Sequence, residues 1–567
     1  MKLLYFIQQT AARFFYLALG LSLASGLINA ALVGLISRQI TAYKTMSDWF
    51  IGGLALLILA AVLLDLGAKQ TLTLLQHRVT YELRLSLARQ LLAAPLARLE
   101  TVTTPRLFTL LMDDVTGITQ VLFELPTVAI GLATLLGCLL YLLWLAPFTL
   151  FGMVALALPI LVGYWLLQRR LSRVLHWSLG LRNQLLATVH DLTAGIKELK
   201  LHLPRRAVFY HRHLQPMVAQ STQSSIRYCQ YNFLAQTINQ FTYFVILLGL
   251  FILSRRFPIP VEVLAVYAIM LLYLKSATMT LVSALPRITE ALTMINQLEA
   301  LGFRLAAPIP APPMTEAQQP LPKDITLDLQ ALTYTYADHH RAGSNGRGNE
   351  RSFHVGPLTC RLQAGEIVFI IGGNGSGKTT FLKLLVGLYP ATAGQILWND
   401  CPVTAANLEA YQQNFAVIFA EPHLFPHLLA QGDDHRDQRA QEWLQRLHLE
   451  QKVQVIDGKF STLDLSFGQR KRLALLTAYL EDRPVYLFDE WAAGQDPEFR
   501  TIFYRTLLPD LKAQGKLVIV ISHDDHYFDA ADRIIKLDAG RIEVDRRCTA
   551  QPKPAAIPCV INNSKGR

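Results

Sequence analysis

The chain is short of charge. Only 17% of its 567 residues are Asp, Glu, Lys or Arg, and 52% are hydrophobic, whereas soluble domains run at about 25% charged. The deficit is concentrated in the first half, where it argues against a purely soluble protein. Cysteine is scarce too. The six, Cys138, Cys229, Cys360, Cys401, Cys548 and Cys559, show neither metal-ligand spacing nor a disulfide framework, which excludes a zinc module and a stapled secreted scaffold and fits a reducing cytosol around the soluble part. A cleavable leader is also missing from the reading: the first apolar run is about as long as a membrane span and no small-residue cleavage site precedes the next polar stretch. Length alone predicts roughly three or four structural units.

What the first half does have is apolar runs. Six spans are read at 14–36, 51–72, 121–145, 148–167, 233–253 and 261–285. Each has about twenty residues or slightly more and rises about 30 Å as a helix, enough for the hydrocarbon core of a lipid bilayer. The net charge of +11 suggests nucleic acid at first sight, but membrane topology explains it better, and no nucleic-acid partner is expected. Five arginines lie in 77–117, ten Lys or Arg in 168–232, and four in the three short loops together. By the positive-inside rule the two long loops are cytoplasmic, and the N-terminus and the C-terminal half fall on the same side. Helix-compatible spacing at 83–99 and 181–201 predicts that spans two to five continue beyond the membrane as helices.

Charges within spans are costly and usually face protein or water. Asp65 and Lys69, four apart, are read as a mutual pair, and Lys275 as a residue that snorkels to the inner interface. Gln236, Asn239, Gln240 and Tyr243 form one polar stripe on the fifth span. It serves either as a path for a polar, peptide-like cargo or as helix–helix hydrogen bonding.

At 306–324 the sequence turns to Pro, Ala and Gln, an extended linker. A strand-and-loop domain starts near Ile325, interrupted by a polar loop at 337–352, and the tail at 547–567 has the composition of disorder. Residues 366–371 read as a buried strand, and Gly372, Gly373, Asn374, Gly375, Ser376, Gly377, Lys378 and Thr379 follow, with a helix beginning at Thr380. This is the phosphate-binding pattern G-x-x-x-x-G-K-[ST] in its strand–loop–helix context. Backbone N–H groups cradle phosphate at the helix N-terminus, Lys378 reaches the β and γ phosphates, and Thr379 is a ligand for Mg²⁺. A second buried strand, 485–488, ends at Asp489 and Glu490. Asp489 is the second Mg²⁺ residue and Glu490 the general base for the attacking water. A third strand, 517–521, precedes Ser522 and His523, placing an imidazole for the γ-phosphate and the water. Ser466, Gly468 and Gln469 precede or open a helix to about Leu480 and form a second anion grip. Arg470, Lys471 and Arg472 are read as a solvated face of that helix, or as added positive field.

The two grips together resemble the ATP-binding cassette family. The block 356–380, the run 465–474, the run 489–497 and the stretch 523–528 narrow the likeness to exporters of cyclic peptides and siderophore precursors, a branch with transporters for syringomycin-type lipopeptides, pyoverdine precursors and a lasso-peptide microcin. Glu490-Trp491 and Gln495-Asp496-Pro497 are the telling residues. The resemblance implies an α-helical six-span transmembrane domain (1–305), the linker (306–324), and an α/β P-loop ATP-binding cassette (325–546) before the tail. It implies that Tyr336 stacks on adenine, that Asp496 belongs to the nucleotide site, and that the cofactors are ATP and Mg²⁺. Two chains, a homodimer in the lipid bilayer, sandwich ATP so that each signature faces the partner's phosphate. The implied activity is ATP-driven export of a peptide-like, lipopeptide or siderophore-like cargo across a bacterial inner membrane, with a lipid or multidrug flippase and an ATP-gated sensor or channel as alternatives. One departure stands out: Ala420-Glu421-Pro422 occupies the place of the usual glutamine after the strand at 415–419, so either Glu421 takes over or that contact is lost. Ala493 and Gly494 replace the usual Ser and Ala before Asp496. These changes bear on coupling more than on hydrolysis.

Overall fold

The computed structural model describes residues 2–41, 47–102, 104–255, 260–304, 325–336, 353–428 and 435–548. The expected linker at 306–324, the polar loop at 337–352 and the tail from 549 onward lie outside the described residues. The chain divides into two units: Met1–Ala94 with Val102–Pro312, and Pro95–Thr101 with Pro313–Arg567.

The first unit is helical. Its long helices are Lys2–Thr41, Asp48–Ala93, Val115–Leu145, Pro147–Ala194, Gln215–Ser254 and Val261–Ala300, and among the described residues six helices are long and apolar enough to cross a membrane. Much of their apolar surface faces outward. Leu56, Leu63, Phe148, Phe151 and Leu158 are all exposed, a pattern water does not tolerate over so large an area and a bilayer does. The 48 residues of Pro147–Ala194 reach roughly 70 Å at about 1.5 Å per residue, well beyond the hydrocarbon core, so the expected extension of the spans is present.

Small residues let these helices approach. A Cβ at Gly26 would stand 2.7 Å from that of Ala133, and one at Gly137 would stand 2.7 Å from that of Ala30, so the first and third long helices pack nearly backbone to backbone. Asp65 and Lys69 pair at 2.6 Å. Lys275 sets its ammonium 5.2 Å from the centre of the Phe244 ring. The polar stripe divides: Asn239 donates to the Met279 sulfur at 3.3 Å and Tyr243 shares a hydrogen bond with Thr278 at 2.5 Å, both on the following helix, while Gln240 stays exposed.

The second unit holds two larger sheets. The six-stranded one runs, in spatial order, Arg541–Arg547, Arg533–Asp538, Ile367–Ile371, Leu517–Ile521, Val485–Asp489 and Phe415–Ile418. All neighbours are parallel except the edge pair of Arg541–Arg547 with Arg533–Asp538. Val485–Asp489 and Leu517–Ile521 are buried at every position, as expected of parallel strands covered on both faces. A four-stranded antiparallel sheet, ordered His354–Gln363, Thr326–Thr335, Ala393–Trp398 and Cys401–Pro402, stands beside it in sequence and core. The short helix Leu96–Leu99 belongs to this unit, with Leu96 and Ala97 against the core of the antiparallel sheet. A second short helix, Ile196–Leu201, lies in the first unit.

Candidate nucleotide site

In an open parallel sheet, ligand-binding residues gather where strands end at their carboxyl edges. Here the register aligns three such ends: Ile521 pairs with Asp489 on one side and with Ile370 on the other. The loops that follow therefore bring Gly372–Thr379, Asp489 with Glu490, and Ser522 with His523 to one edge.

The first loop is built by its glycines. Gly375 and Gly377 have φ of +76° and +98°, the left-handed region that favours glycine. A Cβ at Gly372 would stand 2.3 Å from the Leu537 carbonyl oxygen, whereas Cβ atoms at Gly373 and Gly375 would meet nothing within 4 Å. The loop is thus tight against the protein on one side and open on the other. The helix Lys378–Leu385 starts directly after Gly377. Lys378 is 6% exposed and donates to the carbonyls of Gly372 and Gly373, both at 2.9 Å. Burial pulls its pKa down, and the charges of Glu490 and Asp489 oppose that shift. Among the described residues, the buried Ser376 hydroxyl has no hydrogen-bond partner. An unpaired buried hydroxyl in a loop whose outer side is open fits a phosphate ligand.

Asp489 is 4% exposed. Burial raises its pKa, and Glu490 raises it further. Lys378, Lys471 and a hydrogen bond from the Ala420 backbone pull the other way. Among the described residues, no group of three or more His, Cys, Asp and Glu converges as a metal site. A carboxylate and a hydroxyl beside a phosphate loop suit magnesium, which keeps water and nucleotide oxygens among its ligands. Glu490 lies just beyond, with φ of +48°, and its Oε1 is 3.2 Å from His523 Nε2. His523 is anchored from behind: the Ser522 hydroxyl shares a 2.7 Å hydrogen bond with the Tyr504 hydroxyl and accepts the Asp524 N–H at 3.0 Å.

Tyr336 stands at the same loop. Its hydroxyl shares a 2.8 Å hydrogen bond with Thr380 Oγ1, and its ring meets Tyr334 and Tyr389 edge-on at 5.0 and 6.0 Å. With 36% of its surface exposed, the ring keeps an accessible aromatic surface. Asn374 and Thr379 are exposed.

Ser466, Gly468 and Gln469 are gathered elsewhere. Ser466 caps the helix Phe467–Glu481 in a capping box: its hydroxyl accepts the Gln469 N–H at 3.3 Å, and Gln469 Oε1 accepts the Ser466 N–H at 3.1 Å. The helix begins two residues before the expected start. Gln469 is thereby engaged in the cap itself. The Gly468 carbonyl accepts from Gln495 Nε2 at 3.0 Å. Asp496 caps the next helix, accepting the Phe499 N–H at 2.8 Å, which holds its carboxyl below the usual range, and it pairs with Arg472.

One expectation is corrected. Of Arg470, Lys471 and Arg472, only Arg470 lies on a solvated face. Lys471 is 2% exposed, and Arg472 is tucked over the Phe499 ring, its guanidinium carbon 3.9 Å from the ring centre. Three consecutive positions on a helix cannot share one face, and the interior positions of the triplet went inward. The contacts that Lys471, Trp491 and Gln495 make could not be read from the sequence, because their partners lie about twenty or more positions away. Glu421 is exposed, and its charge acts on Lys471.

Comparison with known proteins agrees with this geometry. Residues 355–493 match the family model described as ABC transporter. The chain is 33% identical, over 566 residues covering 96% of it and 95% of the relative, to the ATP-binding protein SyrD of Pseudomonas syringae pv. syringae. Over 212 residues, 35% of this chain and 94% of the relative, it is 28% identical to the ATP-binding protein HrtA of Staphylococcus aureus (strain MRSA252).

Proposed function

We propose that this chain, which belongs to the ABC transporter family, is an ATP-driven exporter that works as a homodimer in a bacterial inner membrane. One observation carries the reading: the same polypeptide joins six apolar helices to a strand edge where Lys378, Asp489 and the Glu490–His523 pair converge. Of its signature residues, Ser466 and Gln469 cap their own helix and the Gly468 carbonyl is held by Gln495, which supports a helix end that grips a nucleotide held by a second chain. The positive-inside pattern favours a cytoplasmic cassette and N-terminus.

In this reading the first loop and Lys378 hold the phosphates, and Thr379 and Asp489 hold magnesium. A magnesium ion held there would supply positive charge against the phosphates. Glu490 accepts the proton of the attacking water. His523 orients the Glu490 carboxylate from 3.2 Å away. Tyr336 offers its ring to the adenine. Closure of two cassettes over nucleotide turns the long helices outward, and hydrolysis reopens them. For cargo we favour a cyclic or modified peptide, a lipopeptide or a siderophore-like compound. The exposed amide of Gln240 supports a polar path, while the bonded Asn239 and Tyr243 serve packing.

Inverted membrane vesicles incubated with candidate cargo in the outside medium provide the test. ATP-dependent uptake that stops with Glu490→Gln is the expected result. ATP turnover with no cargo movement for any of these classes would replace the exporter with a sensor or channel, and stimulation by phospholipid alone would replace it with a flippase.

A further inference from the structure

The mechanism leaves the buried charge of Lys471 without a task. Lys471 lies on the first turns of the signature helix, 2% exposed, and a buried ammonium persists only where hydrogen bonds and opposite charge replace the water it lost. Its Nζ donates to the Glu490 carbonyl at 2.7 Å and to the Ala493 carbonyl at 3.0 Å. These two carbonyls belong to one turn, closed by the Ala493 N–H donating to the Glu490 carbonyl at 3.2 Å. The Lys471 carbonyl in turn accepts the Trp491 indole N–H at 2.9 Å, so position 471 grips the turn through both its side chain and its backbone. Trp491 is fully buried and stacked on Phe503 at 4.3 Å.

What the turn needs is restraint. Glu490 has φ of +48°, a conformation that a residue with a Cβ adopts only when its surroundings impose it. Its own N–H is tied to the Ile521 carbonyl at 3.0 Å. That bond fixes one side of the residue, and the Lys471 ammonium fixes the other. Glu490, Asp489 and Glu421 all bear on Lys471 with opposite charge, against the cost of its burial.

We propose that Lys471 is a positioning residue for hydrolysis: it clamps both ends of the Glu490–Ala493 turn and thereby holds the Glu490 carboxylate where it meets His523. The inference rests on the reading of Glu490 as the general base. It also gives the signature helix a direct grip on the chain's own hydrolytic loop.

The test compares full-length wild type, Lys471→Met, Lys471→Gln, Trp491→Phe and Glu490→Gln in lipid nanodiscs. Lys471→Met keeps the volume and loses the donor. Its kcat for ATP is expected to fall by about 20-fold, part of the roughly 10²–10⁴ that a placed base supplies, with KM within about twofold. Lys471→Gln, which keeps an N–H donor, recovers part of the loss. Without nucleotide, backbone hydrogen exchange in Lys471→Met speeds up in the peptide spanning 490–495 and stays unchanged in the phosphate loop. A kcat within about twofold of wild type overturns the proposal, as does faster exchange spread evenly over the cassette. If Lys471→Met does not assemble, Trp491→Phe decides: it is expected to show the same local exchange with a smaller kcat loss, and unchanged exchange at 490–495 overturns the clamp. Glu490→Gln separates the two levels. Full turnover in that variant sinks the base assignment itself, whereas a dead Glu490→Gln beside an active Lys471→Met sinks only the clamp.

Discussion

Lys383 places its ammonium 2.7 Å from the Glu100 carboxylate, joining two residues 283 positions apart. Tyr389 donates its hydroxyl to the same carboxylate, and burial together with that bond pushes the phenol well above its usual pKa. Lys383 lies on the helix that begins at the phosphate loop, and the Tyr389 ring is also packed on Tyr334 and Tyr336. Glu100 therefore fastens the segment just beyond the long helix Asp48–Ala93 to the nucleotide-facing part of the cassette. Glu100→Gln keeps the shape and removes the charge. If the bond serves coupling rather than catalysis, ATP turnover is expected within about threefold of wild type and cargo moved per ATP reduced by about 10-fold. Parallel turnover and vesicle-uptake measurements check this, and a proportional fall of both would count against it.

Lys378→Ala is expected to abolish turnover. Its ammonium is the only lysine charge that the loop itself supplies, and it already sits among the carbonyls of Gly372 and Gly373. Loss of a preorganised cation at a phosphoryl group costs roughly 10²–10³ in kcat. A steady-state ATPase assay decides, and unchanged activity would refute the assignment of the loop.

Magnesium-dependent nucleotide binding should fade at a pH above the ordinary aspartate range. The sign follows from burial: Asp489 has its pKa raised from 3.8, so its carboxylate is lost to protonation earlier as pH falls, and only the ionised form holds a cation well. Titrating Mg·ATP affinity from pH 8 downward in about half-unit steps checks the direction. Asp489→Asn should flatten the low-pH limb. An identical limb in that variant would assign the titration to another group.

How far the sequence reached depends on the distance between partners. Strand, glycine loop and helix around Lys378 are contiguous, so their chemistry could be read from one window, as could Asp489 with Glu490 at the end of an apolar strand. The meeting of Glu490 with His523 required only that the two strands be neighbours in one parallel sheet. Lys471 and Glu100 were different. A lysine between two arginines on an exposed-looking helix start gives no sign that it turns inward, because the carbonyls that receive it belong to a turn about twenty residues on. Glu100 gave no signal at all, since both of its partners lie in the other half of the sequence. Gln469 shows the converse: its capping-box spacing from Ser466 was local and readable, and the structure forms that cap.

The last expectation concerns how two chains share a site. A Cβ at Gly468 would stand 3.0 Å from the Gly494 carbonyl oxygen, so Gly468→Asp must displace the signature turn from the loop at 493–496, while Gly372–Thr379 of the same chain are untouched. Suppose each nucleotide lies between the phosphate loop of one chain and the signature of its partner. A mixed dimer of a Gly468→Asp chain with a Lys378→Ala chain then keeps one whole site, because the intact loop of the first faces the intact signature of the second. A dimer of wild type with a chain carrying both substitutions keeps none, since each site has one broken half. Differentially tagged chains, purified through both tags, should give about half of wild-type turnover or less in the first combination, depending on how strongly the two sites depend on each other, and background turnover in the second. The reverse pattern, background turnover in the first mixed dimer and about half of wild type in the second, would mean that each chain hydrolyses ATP with its own signature.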